Sequence, residues 1–103
     1  MNPVPITIAG ELTIYQVAEI RSLLQEALVG HDGSSQLLLD LADVTECDGA
    51  GLQLLIAFSQ AVSALGAELV LCDAAPFLVD LLDAYGLGSR FATHAMHPAA
   101  VAA

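Results

Sequence analysis

Residues 40–52 read Asp-Leu-Ala-Asp-Val-Thr-Glu-Cys-Asp-Gly-Ala-Gly-Leu. An apolar run ends there, a short acidic stretch turns on Asp48-Gly49, and helical spacing begins. A chain that passes from strand to helix through such a turn belongs to an α/β domain. The first N–H groups of the helix are left unpaired, so the turn is also where anions, caps and chemistry gather. Everything else in the sequence is placed by working outward from it.

Upstream, 36–44 (QLLLDLADV) is a nearly continuous apolar run of strand length, the pattern of a strand covered on both faces. Before it, 5–9 (PITIA) reads as a short strand, and 11–30 has Val17, Ile20, Leu24 and Leu28 on one helix face. Thr13 with Gln16 fits a capping box, Gly30 gives the stop, and 31–35 (HDGSS) is a surface loop. Downstream, 50–66 reads as a helix with Leu54, Leu55, Phe58, Val62 and Leu65 on its stripe and Gly66 at its end. A buried strand follows at 67–73. Residues 75–87 form a third helix, with Pro76 in the first turn, Gly86 at the C-cap, and Leu78, Leu81, Leu82 and Tyr85 on the inner face. Residues 90–94 (RFATH) add a short strand. Alternation of this kind predicts parallel strands joined by right-handed crossovers. Residues 1–93 are expected to form one domain, and 94–103 a flexible tail.

The chain has 103 residues, of which 56% are apolar and 14% charged. A domain of this size buries roughly 65% of its unfolded surface, so neither disulfide nor metal is needed for folding. With 2 basic and 12 acidic residues the formal charge is −10. Such a surface repels phosphate backbones and anionic headgroups, which argues against nucleic acid as a partner. The cations are Arg21 and Arg90, and the absence of lysine removes a P-loop. The apolar region 49–72 is interrupted by Gln53, Ser59, Gln60, Ser63 and Glu68, so direct membrane insertion is not expected. The start, MNPVPITIAG, lacks the pattern of a signal peptide. Cys47 and Cys72 then read as reduced thiols of a cytoplasmic protein.

The stretch from Leu37 to Leu87 resembles the STAS domain of anti-sigma factor antagonists and sulphate transporters. Asp40-Leu41, Val44, Asp48, Ala50-Gly51-Leu52, Gly66 and Gly86-Leu87 fall at the places of the family pattern, in order, over roughly residues 6–92. The resemblance implies a small α/β fold with a mixed, mostly parallel sheet of four to five strands and helices packed mainly on one side. It also implies a non-enzymatic protein-interaction module. The surface expected to meet a partner is Thr45, Glu46, Asp48, Gly49, Ala50, Leu52, Gln53 and Ile56. The implied partner is an anti-sigma-factor kinase or a similar signalling protein. An alternative is the small STAS subunit supporting the ATPase of a lipid-asymmetry ABC transporter, and a chemotaxis cluster is a third setting. Switchable members of the family carry a phosphorylatable serine after the aspartate. Here that position is Gly49, which has no hydroxyl.

Each feature has a plainer alternative. Asp48 caps the second helix unless a nucleophile stands beside it. Gly49 and Gly51 form either an anion nest or a tight turn with close helix–sheet approach; with three acids close by, the second is favoured. Leu52 and Ile56 are either core or an exposed binding patch. Cys47 and Cys72 end strands that are candidates for neighbours. His94 and His97 lie without further ligands, His31 in a polar loop, and Asp80 and Asp83 on a solvated helix face, so no metal site is expected. No Ser-His-Asp order or carboxylate pair suggests catalysis, and no cofactor is implied. A rival from another class is a small-anion or nucleotide sensor using the turn before the second helix.

Overall fold

The computed structural model describes residues 5–31 and 33–94, with the side chain of His94 excepted. The chain order is β1 (Ile6–Leu12), α1 (Val17–Val29), β2 (Gln36–Cys47), α2 (Gly49–Ala64), β3 (Glu68–Cys72), α3 (Pro76–Ala84) and β4 (Ala92–His94). The strands lie side by side in that same order, and every pairing between them is parallel. Steps that always move one strand in one direction, with right-handed crossovers, place all the connecting helices on one face of the sheet. The middle crossover is α2, which therefore has a helix on either side of it.

Alternate residues of the strands supply the sheet's half of the core. Leu37, Leu39 and Leu41 are buried while Gln36, Ala42 and Asp43 are not. The helices supply Ile20 and Leu24 from α1, Leu52, Leu54, Leu55, Phe58 and Val62 from α2, and Leu78 and Leu82 from α3. Val17 and Leu28 pack at its edge, so the stripe expected of α1 is the observed one.

Several local expectations are corrected. The strand 36–44 runs on to Cys47, so Thr45 and Glu46 end β2 and do not form a loop. There is no capping box on α1. Its N-cap is Gln16, without a side-chain bond, and the Thr13 hydroxyl donates to Glu11 Oε1 at 3.2 Å. The Thr13 carbonyl instead accepts the N–H groups of Gln16 and Val17, a tight turn that delays the helix to Val17. Leu65 and Tyr85, expected on inner faces, are 52% and 64% exposed. Both are the C-cap residues of their helices, where the chain is already turning away. The next residues, Gly66 and Gly86, take φ of 77° and 71°. Each closes a Schellman motif: Gly66 N–H to Ser63 O with Ala67 N–H to Val62 O, and Gly86 N–H to Asp83 O with Leu87 N–H to Leu82 O.

Residues 95–103, including His97 and most of the expected tail, lie outside the described residues. Among the described residues no helix is long and apolar enough to cross a membrane.

Candidate functional site: the turn into the middle helix

Asp48 is the N-cap of α2, with extended backbone (φ −120°, ψ −174°). Its Oδ1 accepts the Gly51 N–H at 3.0 Å, the bond expected of a helix cap. Its Oδ2 accepts the Ile14 N–H at 2.9 Å, thirty-four residues away in sequence. The backbone N–H of Asp48 donates in turn to Leu12 O at 3.2 Å. One residue thus ties the end of β1 and the turn after it to the start of α2. These donors hold the Asp48 carboxyl below its ordinary value of 3.8, the Ile14 N–H contributing most and the Gly51 N–H next.

The sign of this shift sets a pH dependence. A carboxyl that is more acidic in the folded state stabilises the fold fully above its unfolded pKa and ceases to do so as pH falls through the lower folded value. Urea midpoints should therefore decline with acidification below pH 3.8 through a step that an Asp48→Ala protein lacks. Asp48→Asn should also lower the midpoint at neutral pH, although asparagine is a good cap. An amide has one acceptor oxygen, so its NH2 would face either the Ile14 or the Gly51 N–H. Equal midpoints for wild type and Asp48→Asn would remove the double-acceptor role.

Gly51 is buried where α2 crosses the end of β1. A Cβ there would run into the Leu12 carbonyl oxygen and lie 2.8 Å from Leu12 Cγ. Gly49, by contrast, is exposed and has open space around it. Of the two alternatives for these glycines, close helix–sheet approach describes Gly51.

Thr45, Glu46, Gly49 and Gln53 are exposed, and Ala50 is half-buried. Between Gly10↔Val44 and Glu11↔Glu46 the pairing slips, so that Thr45 is an extra residue on β2. Such bulges re-aim side chains at sheet rims. Leu52 takes the core alternative: it is 4% exposed and part of the main cluster. Ile56 is half-buried and packs against that cluster.

The sequence reading missed three apolar residues that frame the turn. Ile14 (61% exposed) and Tyr15 (84%) follow β1, and Phe77 (39%) opens α3. Tyr15 and Phe77 line a hollow of about 490 Å³ with Glu11, Thr13, Thr45, Glu46, Cys47 and Asp48. A signal was present: Ile14 and Tyr15 precede the Val17–Ile20–Leu24–Leu28 series, and Phe77 is off the Leu78–Leu82 face.

A nucleophile is missing from this hollow in reactive form. The Cys47 thiol donates weakly to Asp48 O at 3.6 Å. Burial, aided by the Asp48 charge, pushes its pKa up to about 11, so it stays protonated at neutral pH. Cys72, buried and also free, has its thiol pushed up mainly by burial. The two cysteines are not neighbours. Cys72 pairs with Asp40, and Cys47 lies seven residues farther along β2, about 20 Å away at the rise of a strand.

A one-sided α/β layer with a doubly bonded aspartate at the mouth of its middle helix defines the class to which this chain is referred. The family model described as "Mlab, STAS domain" matches residues 1–96, and the chain belongs to the STAS domain family. Its fold is shared with the anti-sigma factor antagonist SpoIIAA, solved in its unphosphorylated form. The TM-score is 0.62 at 18% sequence identity, over 92% of this chain and 79% of that one.

Proposed function

We propose that this protein is a non-enzymatic, cytoplasmic docking module that binds a regulatory protein partner through the rim around Asp48. The observation that carries this is the apolar frame: Ile14, Tyr15 and Phe77 stand exposed around a turn whose atoms are already bonded to one another. Exposed aromatic side chains beside a rigid polar rim are the usual anchors of protein interfaces. Thr45, Glu46, Gly49, Ala50 and Gln53 complete the surface, and Leu52 leaves it because it is buried. The partner class is a kinase-like signalling protein of the kind that anti-sigma factor antagonists engage. Gly49 offers no hydroxyl, so docking here is not switched by phosphate at that position.

A second reading, the STAS subunit supporting a lipid-asymmetry transporter ATPase, keeps its place because the matching family model is described by the Mlab STAS domain. Capture from native extract separates the two. Immobilised wild-type protein is compared with Tyr15→Ala, and the retained proteins are identified by mass spectrometry. A kinase-like signalling protein supports the first reading and a transporter ATPase the second. In either case Tyr15→Ala should weaken binding by about 2 kcal/mol, roughly 30-fold, if the tyrosine is an interface anchor. An unaltered affinity would move the interface elsewhere. Incubation with ATP and the captured partner should leave the intact mass unchanged; a phosphate on Thr45 or Ser59 would overturn the switchless reading. The anion-sensor rival predicts stabilisation of about 2.7 kcal/mol by a nucleotide at a hundred times its Kd, and we expect none.

A further inference from the structure

A second concavity adjoins the rim at Ile14, Ala50 and Gln53 and runs along the groove between α1 and α2, with a volume of about 530 Å³. Pockets of this size fall within the usual range for small-molecule ligands. Leu24 and Phe58 form its floor, and Ala57 and Ala61 leave its α2 wall low. Its polar lining is Arg21, Gln25 and Gln53, and no aspartate or glutamate contributes to it. In a chain with 12 acidic and 2 basic residues, this is an acid-free trough with one cation.

That cation is not used within the fold. Its helical neighbours at three and four residues are Val17, Ala18, Leu24 and Gln25, none of which is acidic. Among the described residues Arg21 has no ion-pair partner. A guanidinium left free beside an apolar trough recognises a carboxylate by paired N–H donors. The trough itself accommodates an apolar chain. Val17 to Leu28 spans eleven residue steps of α1, roughly 16 Å at helical rise, long enough for an extended chain of medium length.

We propose that the α1–α2 groove is a binding site for an anionic amphiphile, a medium-chain carboxylate, with its head at Arg21 and its tail along Ala57 and Phe58. The proposal does not rest on the docking reading above: the groove shares Ile14, Ala50 and Gln53 with that rim, but Arg21, Ala57 and Phe58, which carry the proposal, are not part of it.

The probe is decanoate, titrated below its micelle concentration into the whole protein and followed by calorimetry and amide chemical shifts. One saturable site is expected, with shifts along the facing sides of α1 and α2. Shortening the chain through octanoate to hexanoate should weaken binding by up to about fourfold per methylene removed. Arg21→Gln should weaken it by about tenfold or more, the worth of a charge-assisted contact. Ala57→Leu, at an exposed helical position that accepts leucine readily, should abolish it by filling the trough. Melting curves of both variants establish that they are folded, and the Arg21 variant alone suffices should Ala57→Leu not fold. The proposal is overturned by no saturable binding to the wild type, by binding that survives either substitution in a folded protein, or by equal affinity for decyltrimethylammonium.

Discussion

Gly51→Ala will destabilise the domain by about 2–3 kcal/mol, the upper part of the range for overpacked cores. Alanine in a helix interior ordinarily gains about 1 kcal/mol over glycine. Here that gain is overwhelmed, because the added methyl meets a backbone carbonyl, Leu12 O, and not a side chain that can swing aside. Relief requires moving the end of β1 or the first turn of α2, and both are held by the bonds through Asp48. The control is two residues away. Gly49→Ala adds a methyl to open space at an ordinary backbone geometry, and should raise stability by about 0.5 kcal/mol by restricting the unfolded chain. Urea denaturation of the two variants should give shifts of opposite sign. A Gly51→Ala protein as stable as the wild type would mean that α2 does not approach β1 as closely as described.

Leu52→Asp should leave no cooperative unfolding transition at all. Truncating a buried leucine costs about 2–5 kcal/mol, and a carboxylate in its place must be desolvated besides. Set against a typical domain stability of about 5–15 kcal/mol, the sum removes most or all of the margin. Gln53→Asp, one residue on and exposed, should leave the fold intact. The comparison needs only far-UV dichroism and an amide correlation spectrum. A dispersed native spectrum for Leu52→Asp would show that this side chain faces solvent, and would return it to the proposed binding surface from which its burial removes it.

The Leu52 example shows where sequence reasoning reaches its limit. Helical spacing on α2 picks out Leu54, Leu55, Phe58 and Val62, and all of them are buried. It left Leu52 open because a helix on the outside of a layer needs only a narrow stripe. At 100° per residue, Leu54 to Leu52 spans an arc of about 160°, and such breadth is needed only by a helix flanked on both sides. That flanking follows from strand order, which depends on which strands pair and is not written in any local window. Other features were legible because they are local. The two glycines that end α2 and α3, the proline that opens α3, and the alternation of strands and helices each need only neighbouring residues to be read. The cap at Asp48 was legible for the same reason.

Its second bond was not. The Ile14 N–H reaches Asp48 only because β1 and β2 are adjacent, and no spacing rule connects residues thirty-four apart. The false capping box at Thr13 has the same origin. Its motif is locally satisfactory, but the Thr13 carbonyl is taken by a turn, and the helix starts later. The resemblance to the STAS family supplied the place of the proposed rim but not the exposed apolar residues that frame it. Ile14 and Tyr15 come from one point in the chain and Phe77 from another, and only folding brings Tyr15 and Phe77 to one hollow.

The clasp through Asp48 has a mechanical implication. Since a single carboxylate grips the loop after β1 with one oxygen and the root of α2 with the other, those two borders of the rim cannot be pried apart independently. A protein that pulls on Tyr15 also strains the first turn of α2, and one that presses on Gly49 loads the Ile14 strap. The face is a single tile whose grout is one side chain, and loosening that side chain frees both edges together.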